Sequence, residues 1–334
     1  MNPKQAFTSS LGSVITRFLA LKQALGRYYD RERRIMQSLD RFLVSRISGE
    51  TDITPDAFAQ WCSSLYHLSP TVRRNHMRIV RNLCLYRRRH EPTCFVPDKN
   101  LFPQNNQSLR PHIFSVSEVG QLLRATRTLQ PISVSPLYPQ VLRLAVVLLF
   151  TTGIRRRELV RLTIGDYDHH ERTLFIRLSK FHKSRILPLS PDGSREVENY
   201  LQKRRALNLP SSPEKPLLWN GYAGGRGYSG GGIGEGLRRL LRATGIHKPD
   251  GRVPRTHDFR HAFAVNALLR WYRAGEDVQA KLPFLAVYMG HVSIVSTQYY
   301  LHFIEDITKN ANARFERYCG TLINPKPEMT GGKQ

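Results

Sequence analysis

The sequence predicts a mainly α-helical protein with a small antiparallel sheet (α+β), organised as a helical N-terminal domain and a larger C-terminal domain. Three observations carry that expectation. Apolar residues recur at helical spacing through most of the first ninety residues. A single pair of runs rich in β-branched and large apolar residues, Thr173 to Leu178 and Arg185 to Leu189, reads as one hairpin joined by Ser179 to Ser184. Between Glu91 and Pro111, three prolines (Pro92, Pro97, Pro103) and Asn100, Asn105, Asn106 and Gln107 interrupt every periodicity. The chain has 334 residues, 40% of them hydrophobic, enough for two domains of ~150 residues that each bury a core.

In chain order, Leu11 to Leu25, Arg31 to Arg46 and Thr71 to Arg89 read as helices, and Pro55 opens a shorter one over Asp56 to Leu65. Residues 1–95 are therefore expected to form a small bundle, and 96–113 a linker. The second domain, 114–322, opens with Ser117 as N-cap ahead of Glu118 and an apolar face begun by Val119, Leu122 and Leu123. Val141 to Phe150 reads as a buried helix stopping at Thr151-Thr152-Gly153. A further helix starts near Arg155 and ends around Leu162. After the hairpin, nine glycines between Gly221 and Gly236 read as a flexible surface loop ahead of a helix at Leu237 to Thr244. Three more helices are expected around Arg260 to Ala274, Leu282 to Met289 and Ser293 to Phe303. The tail, 323–334, reads as disordered.

Charge narrows the partner. Lysine and arginine total 51 against 26 acidic residues, a net +25 that favours polyanions, nucleic acid first among them. Within Thr71 to His90 lie seven arginines and no acid. A merely solvated face usually carries both signs, so Arg73, Arg74, Arg78, Arg81, Arg87 and Arg88 are expected to meet a DNA backbone. The longest apolar run, Val141 to Phe150, contains Arg143 and falls short of the ~18 residues a membrane span needs. The first twenty residues lack the layout of a secretory signal, and the chain is expected to stay inside the cell. Its four cysteines form no CxxC pair, so neither a disulfide framework nor a zinc site is expected. Gly225-Arg-Gly227-Tyr-Ser-Gly230 satisfies GxGxxG formally, but no buried parallel strand precedes it, and no P-loop pattern occurs, so no nucleotide cofactor is expected.

Three clusters could carry chemistry. In Thr151-Thr-Gly-Ile-Arg-Arg-Arg-Glu158, Arg155 follows a helix stop, with Glu158 three residues on, able to orient a guanidinium or cap the next helix. His257 and Arg260, at i and i+3, share a helix face and can address one anion. Gly290-His291 is followed nine residues later by Tyr300. Singly, each has an ordinary structural explanation.

Together, and in this order, the clusters resemble the tyrosine recombinase (phage integrase) family, particularly members from transposons and plasmids. The resemblance spans about Phe114 to Arg317, and the arginine-rich helical region before it is similar to the family's core-binding domain. It implies Arg155 as the first catalytic arginine, Lys180 as the hairpin lysine, His257 and Arg260 as the middle pair, His291 as the second histidine and Tyr300 as nucleophile. Lys183 shares the hairpin turn, and Tyr299 adjoins Tyr300. The implied activity is site-specific DNA cleavage and rejoining through a 3′-phosphotyrosine, serving a mobile element in the bacterial cytoplasm, at the nucleoid. The implied partner is double-stranded DNA carrying a homo- or heterotetramer, with Glu305 to Leu322 docking on a neighbour.

The chemistry is coherent in its own right. Two guanidiniums can stabilise the non-bridging phosphate oxygens and a lysine or histidine can protonate the leaving 5′-hydroxyl, so neither a metal nor ATP is required. His257 is the candidate base for the phenol, and Arg155 and Arg260 are expected to lower the tyrosine pKa. A catalytically silent accessory DNA-binding member of a recombinase set and a type IB topoisomerase-like enzyme are the alternative readings.

Overall fold

The structure, a computed structural model, describes residues 6–27, 29–45, 52–104, 110–177, 184–222, 225–291 and 293–303. Lys180, Lys183 and the segment from Glu305 onward lie outside them. The chain divides into two compact units, Met1–Leu109 and Arg110–Gln334.

The first unit is a helical bundle of α1 (Gly12–Ala24), α2 (Asp30–Val44), α3 (Pro55–Ser64) and α4 (Pro70–Arg87). Each helix turns an apolar stripe inward, and Ile15, Phe18, Met36, Leu39, Trp61, Val80 and Leu83 form one core. Pro55 and Pro70 occupy first-turn positions, where a missing N–H costs nothing. The stretch expected as a structureless linker departs from that reading in its first half. Phe102 is buried in this core, Phe95 and Val96 pack against it, and Lys99–Leu101 form a 3-10 turn. Prolines and asparagines deny the segment a regular helix, yet its aromatic residues still gain from burial.

In the second unit, α5 (Val116–Ala125) begins at Ser115, not Ser117. Ser115 Oγ accepts from Glu118 N at 3.2 Å, while Glu118 Oε2 accepts from Ser115 N at 2.8 Å, and this reciprocal box needs a spacing of three residues. The centre of the unit is α6 (Tyr138–Thr152), which buries ten of its residues. Around it pack α5, α8 (Pro191–Ala206), α9 (Gly230–Ala243) and α10 (Thr256–Arg273). The hairpin is β2 (Thr173–Ile176) and β3 (Arg185–Pro188), with Leu174 opposite Leu187 and Ile176 opposite Arg185. A two-residue strand that sequence reading did not foresee, β1 (Tyr167–Asp168), pairs antiparallel with β2 on its other edge.

Two further departures concern helices. The sixteen residues of α8 went unread because the helix opens with proline and glycine and is mostly polar. Its apolar signal is only Val197, Tyr200 and Leu201, although Ser190 caps it through Gly193 N. The glycine-rich stretch was expected to be loop throughout, yet Gly230 to Gly236 are the first two turns of α9. Close packing explains the glycines there. A Cβ on Gly236 would meet Leu142 Cδ2 at 2.9 Å, and one on Gly234 would collide with the Arg156 guanidinium. The described residues of the unit also hold a short α7 (Arg156–Leu159), α11 (Val278–Met289), a single turn, α12 (Val295–Gln298), and helical residues 301–303. No helix among the described residues is long and apolar enough to cross a membrane.

Candidate active site

Two helix ends build the frame of the site. Both α6 and α11 stop at a glycine in the left-handed region, Gly153 (φ 60°) and Gly290 (φ 66°), a conformation costly for residues with a Cβ. Each glycine turns its carbonyl toward an arginine from elsewhere. Arg260, on the second turn of α10 and only 2% exposed, donates from Nη1 to Gly153 O (2.7 Å) and from Nη2 to Met289 O (2.6 Å). Arg155, the residue before α7, donates from Nη2 to Gly290 O (2.7 Å) and from Nη1 to Glu158 Oε1 (2.8 Å). Residues 105 positions apart in sequence are thereby held beside consecutive carbonyls.

Glu158 performs both roles considered for it. Its carboxylate caps α7 by accepting from Arg155 N (3.0 Å), and it orients the Arg155 guanidinium. It also receives a fork from Arg185 of β3, Nη1 to Oε1 at 3.2 Å and Nη2 to Oε2 at 2.8 Å. Burial alone would raise this carboxyl, but Arg185 and then Arg155 hold it down at about 2, so it stays ionised.

The histidines and tyrosine gather on the same side. His291, following Gly290, meets Thr297 Oγ1 through Nδ1 at 2.8 Å and stacks on Tyr300 with centroids 6.3 Å apart. His257 and His261, successive on one face of α10, lie edge to face at 4.8 Å, and His261 in turn lies 5.5 Å from the Tyr300 ring. Burial, helped in His257 and His291 by the Arg260 charge and in His261 by His257, lowers all three imidazoles to about 4. They are neutral at pH 7, and His257 can accept a proton. Burial, and next the Arg155 charge, also depresses Arg260 to about 9, still protonated at neutral pH. Glu158 is shared between Arg155 and Arg185, and Arg260 bonds only carbonyls among the described residues, so the site favours an incoming anion.

Tyr300 is 3% exposed and follows α12 at a tight turn, its N–H bonded to Thr297 O at 3.0 Å. The expectation of one helix from Ser293 to Phe303 is corrected here, since α12 spans only Val295–Gln298. Tyr299 is 42% exposed and lies edge to face with Tyr300 at 5.6 Å. Arg260 and Arg155 act on the Tyr300 phenol in the expected, lowering direction, yet the net shift is upward. Burial raises the Tyr300 phenol, and the opposing Arg260 charge only partly offsets it. The phenol is therefore neutral at pH 7.

Of the six expected site residues, the fold brings Arg155, His257, Arg260, His291 and Tyr300 together, and Lys180 lies outside the described residues. Sequence reading missed Arg185, His261 and Thr297. His261 could have been found from its position four residues after His257, and its Nδ1 is buried without a hydrogen-bond partner among the described residues. Next to Arg155 and His257 opens a cavity of about 460 Å³ walled by Arg156, Arg157, Arg238 and Arg255.

The arginines of α4 separate into two kinds. Arg78 and Arg88 are exposed. Arg87 instead pairs with Asp52 and Glu91. Carboxylates from neighbouring segments thus balance Arg87 alone, and among the described residues no ion pair holds Arg73, Arg74, Arg78, Arg81 or Arg88. Arg74 donates to Pro103 O at 2.7 Å, Arg73 lies 4.5 Å over the Tyr66 ring, and Arg81 is half-buried.

The family model described as the phage integrase family matches residues 114–305, more than half of the chain. The chain belongs to the phage integrase family. Members of this tyrosine recombinase family are enzymes that cleave and rejoin DNA. A putative integrase/recombinase, y4rB, from Sinorhizobium fredii is 29% identical over 92% of this chain and 98% of its own length. Tyrosine recombinase XerD of Halalkalibacterium halodurans is 30% identical over 61% of this chain and 62% of its own. Among solved structures, XerH recombinase bound to a palindromic difH substrate covers 84% of this integrase-family chain and 78% of its own, with a TM-score of 0.61 at 18% identity. The Tn1549 transposon integrase in complex with circular-intermediate DNA covers 88% and 95%, with a TM-score of 0.61 at 15% identity. These two likenesses bear out the mainly α fold with its small antiparallel sheet.

Proposed function

We propose that this chain is a site-specific DNA recombinase of a mobile genetic element, acting through a 3′-phosphotyrosyl intermediate. The observation that carries the reading is the convergence of Arg155 and Arg260 on consecutive carbonyls beside the buried ring of Tyr300. A phosphodiester placed there meets guanidinium donors on its non-bridging oxygens. The Tyr300 hydroxyl passes its proton to neutral His257, its oxygen bonds to phosphorus, and the phosphorus–O5′ bond breaks. The departing 5′-oxygen takes a proton from the Lys180 ammonium and leaves as a free hydroxyl, since His291, neutral here, has no proton acidic enough to give. A 5′-hydroxyl from another strand reverses each of these steps, so the phosphotyrosine conserves the bond.

Double-stranded DNA is the proposed partner, with Arg73, Arg74, Arg78, Arg81 and Arg88 of the first unit on its backbone and four protomers assembled on two duplexes. The mobile-element assignment leans on the likeness to the Tn1549 transposon integrase and the y4rB integrase/recombinase. The test is incubation with nicked duplexes taken from DNA flanking the gene. A covalent protein–DNA adduct that disappears in Tyr300→Phe is expected, and an adduct that survives that change removes the assignment.

A further inference from the structure

Arg185 has no place in the chemistry described so far, yet it is among the most constrained side chains near the site. Its side chain is 10% exposed. Both terminal nitrogens are bound to the two oxygens of Glu158, and Nε donates to Tyr288 O at 2.9 Å, so every nitrogen of the guanidinium is engaged. It therefore ties β3 to the start of α7 and to the end of α11 at once. A Cβ at Gly290 would lie 3.0 Å from Arg185 Nη1 and 3.4 Å from Arg155 Nη1, so the two guanidiniums flank Glu158 within one small space.

Counting charges shows what this arrangement does. Arg155 and Glu158 alone sum to zero, and a neutral pair has little pull on a phosphate. Adding Arg185 restores a net positive charge to the trio. Because Arg185 grips both oxygens of Glu158, the carboxylate is satisfied from behind and the Arg155 guanidinium keeps N–H donors for another anion.

We propose that Arg185 is a positioning residue that neutralises Glu158 so that the Arg155 charge is available to the scissile phosphate. It touches no substrate atom and acts through Glu158. The proposal rests on the recombinase reading of the site. It distinguishes Arg185 from a simple packing residue because its effect must depend on the charge of the phosphate.

The experiment uses the full chain and nicked duplexes from DNA flanking the gene, with either a normal phosphodiester or a neutral methylphosphonate at the scissile position. Rate of covalent adduct formation, DNA affinity and thermal midpoint are measured for Arg185→Gln, Arg185→Lys and the double variant Arg185→Gln with Glu158→Gln. Expected for Arg185→Gln is a fall of ~10²-fold or more on the phosphodiester, comparable to loss of one oxyanion donor. On the methylphosphonate the deficit shrinks below about tenfold, and DNA affinity stays within about twofold of the unaltered chain. The double variant, whose trio again sums to a positive charge, is faster than Arg185→Gln on the phosphodiester. If Arg185→Gln does not fold, Arg185→Lys, which keeps the positive charge, is expected to stay within about tenfold of the unaltered chain on the phosphodiester, and a folded Arg185→Lys that is ~10²-fold slow overturns the proposal. Equal deficits on both linkages, a full-rate Arg185→Gln, or a double variant no faster than the single would each overturn the proposal while the unaltered chain still forms adduct. No adduct from the unaltered chain overturns the recombinase reading itself, and this proposal with it.

Discussion

Arg155 and Arg260 donate to the carbonyls of two consecutive residues, Gly290 at 2.7 Å and Met289 at 2.6 Å, which fixes two positive charges side by side at the end of one helix. Without those acceptors, two neighbouring guanidiniums would swing apart. Held as they are, they present remaining N–H donors to one point.

Removing Arg260 should therefore damage both chemistry and fold. Arg260→Ala leaves the carbonyls of Gly153 and Met289 buried without their donor, at about 1–3 kcal/mol each. The thermal midpoint is expected to fall by roughly 5–10 °C, and adduct formation by ~10²-fold or more. Arg260→Lys should not recover either, since an ammonium lacks the planar fork that spans both carbonyls. Calorimetry and a nicked-duplex assay read the two effects.

The tyrosine assignment separates two adjacent phenols. Tyr300→Phe keeps the buried ring and should abolish adduct with DNA affinity unchanged. Tyr299→Phe, altering a ring 42% exposed, should retain adduct formation within about threefold. Adduct from the first variant, or none from the second, reverses the assignment.

Stability should depend on pH through three histidines. His257, His261 and His291 lie at about 4 in the fold against an ordinary value near 6.5. Between those values the unfolded chain binds more protons than the folded one, so stability rises with pH through that window. The thermal midpoint should be flat between about pH 6.5 and pH 8 and fall steadily from pH 6.5 toward pH 4. His261→Phe should reduce that slope, and an unchanged slope would show that His261 does not titrate as described.

The α4 arginines offer a contrast between exposed and paired charge. Arg78→Ala removes an exposed cation and should reduce the slope of log affinity against log salt by about 1. Arg87→Ala releases Asp52 and Glu91, so it should lower the thermal midpoint and leave the salt slope near its original value. A DNA titration across salt concentrations distinguishes them.

Two glycines of α9 should respond in opposite directions to alanine. Gly232→Ala places its Cβ 3.4 Å from Ser229 Oγ, ordinary contact, and should stabilise by up to about 1 kcal/mol through helix propensity. Gly236→Ala forces a methyl to within 2.9 Å of the buried Leu142 side chain and should destabilise by about 1–3 kcal/mol. Denaturant titration measures both.

Local patterns made much of this legible. The helices α1 to α4 and α6 follow from apolar spacing, and their ends from Pro55 and Gly153, because periodicity and backbone chemistry act within a few residues. Motif order was enough to assemble Arg155, His257, Arg260, His291 and Tyr300. What escaped was set by distant contact. The helical glycines of α9 make sense only against Leu142 and Arg156, and Arg87 is neutralised by Asp52, 35 positions away.

By itself the sequence determined the helical class, the β2–β3 hairpin, the positive charge and the family whose residues recur in order. Only the tertiary structure decided which arginines remain available to an anion, which are spent on carboxylates and carbonyls, and that the tyrosine begins as a neutral phenol. The physical reason is that helix periodicity and turn chemistry are settled by neighbours in the chain. Charge availability and proton affinity depend on burial and on partners that folding brings from over a hundred residues away, as Arg185 is brought to Tyr288 and Arg155 to Gly290.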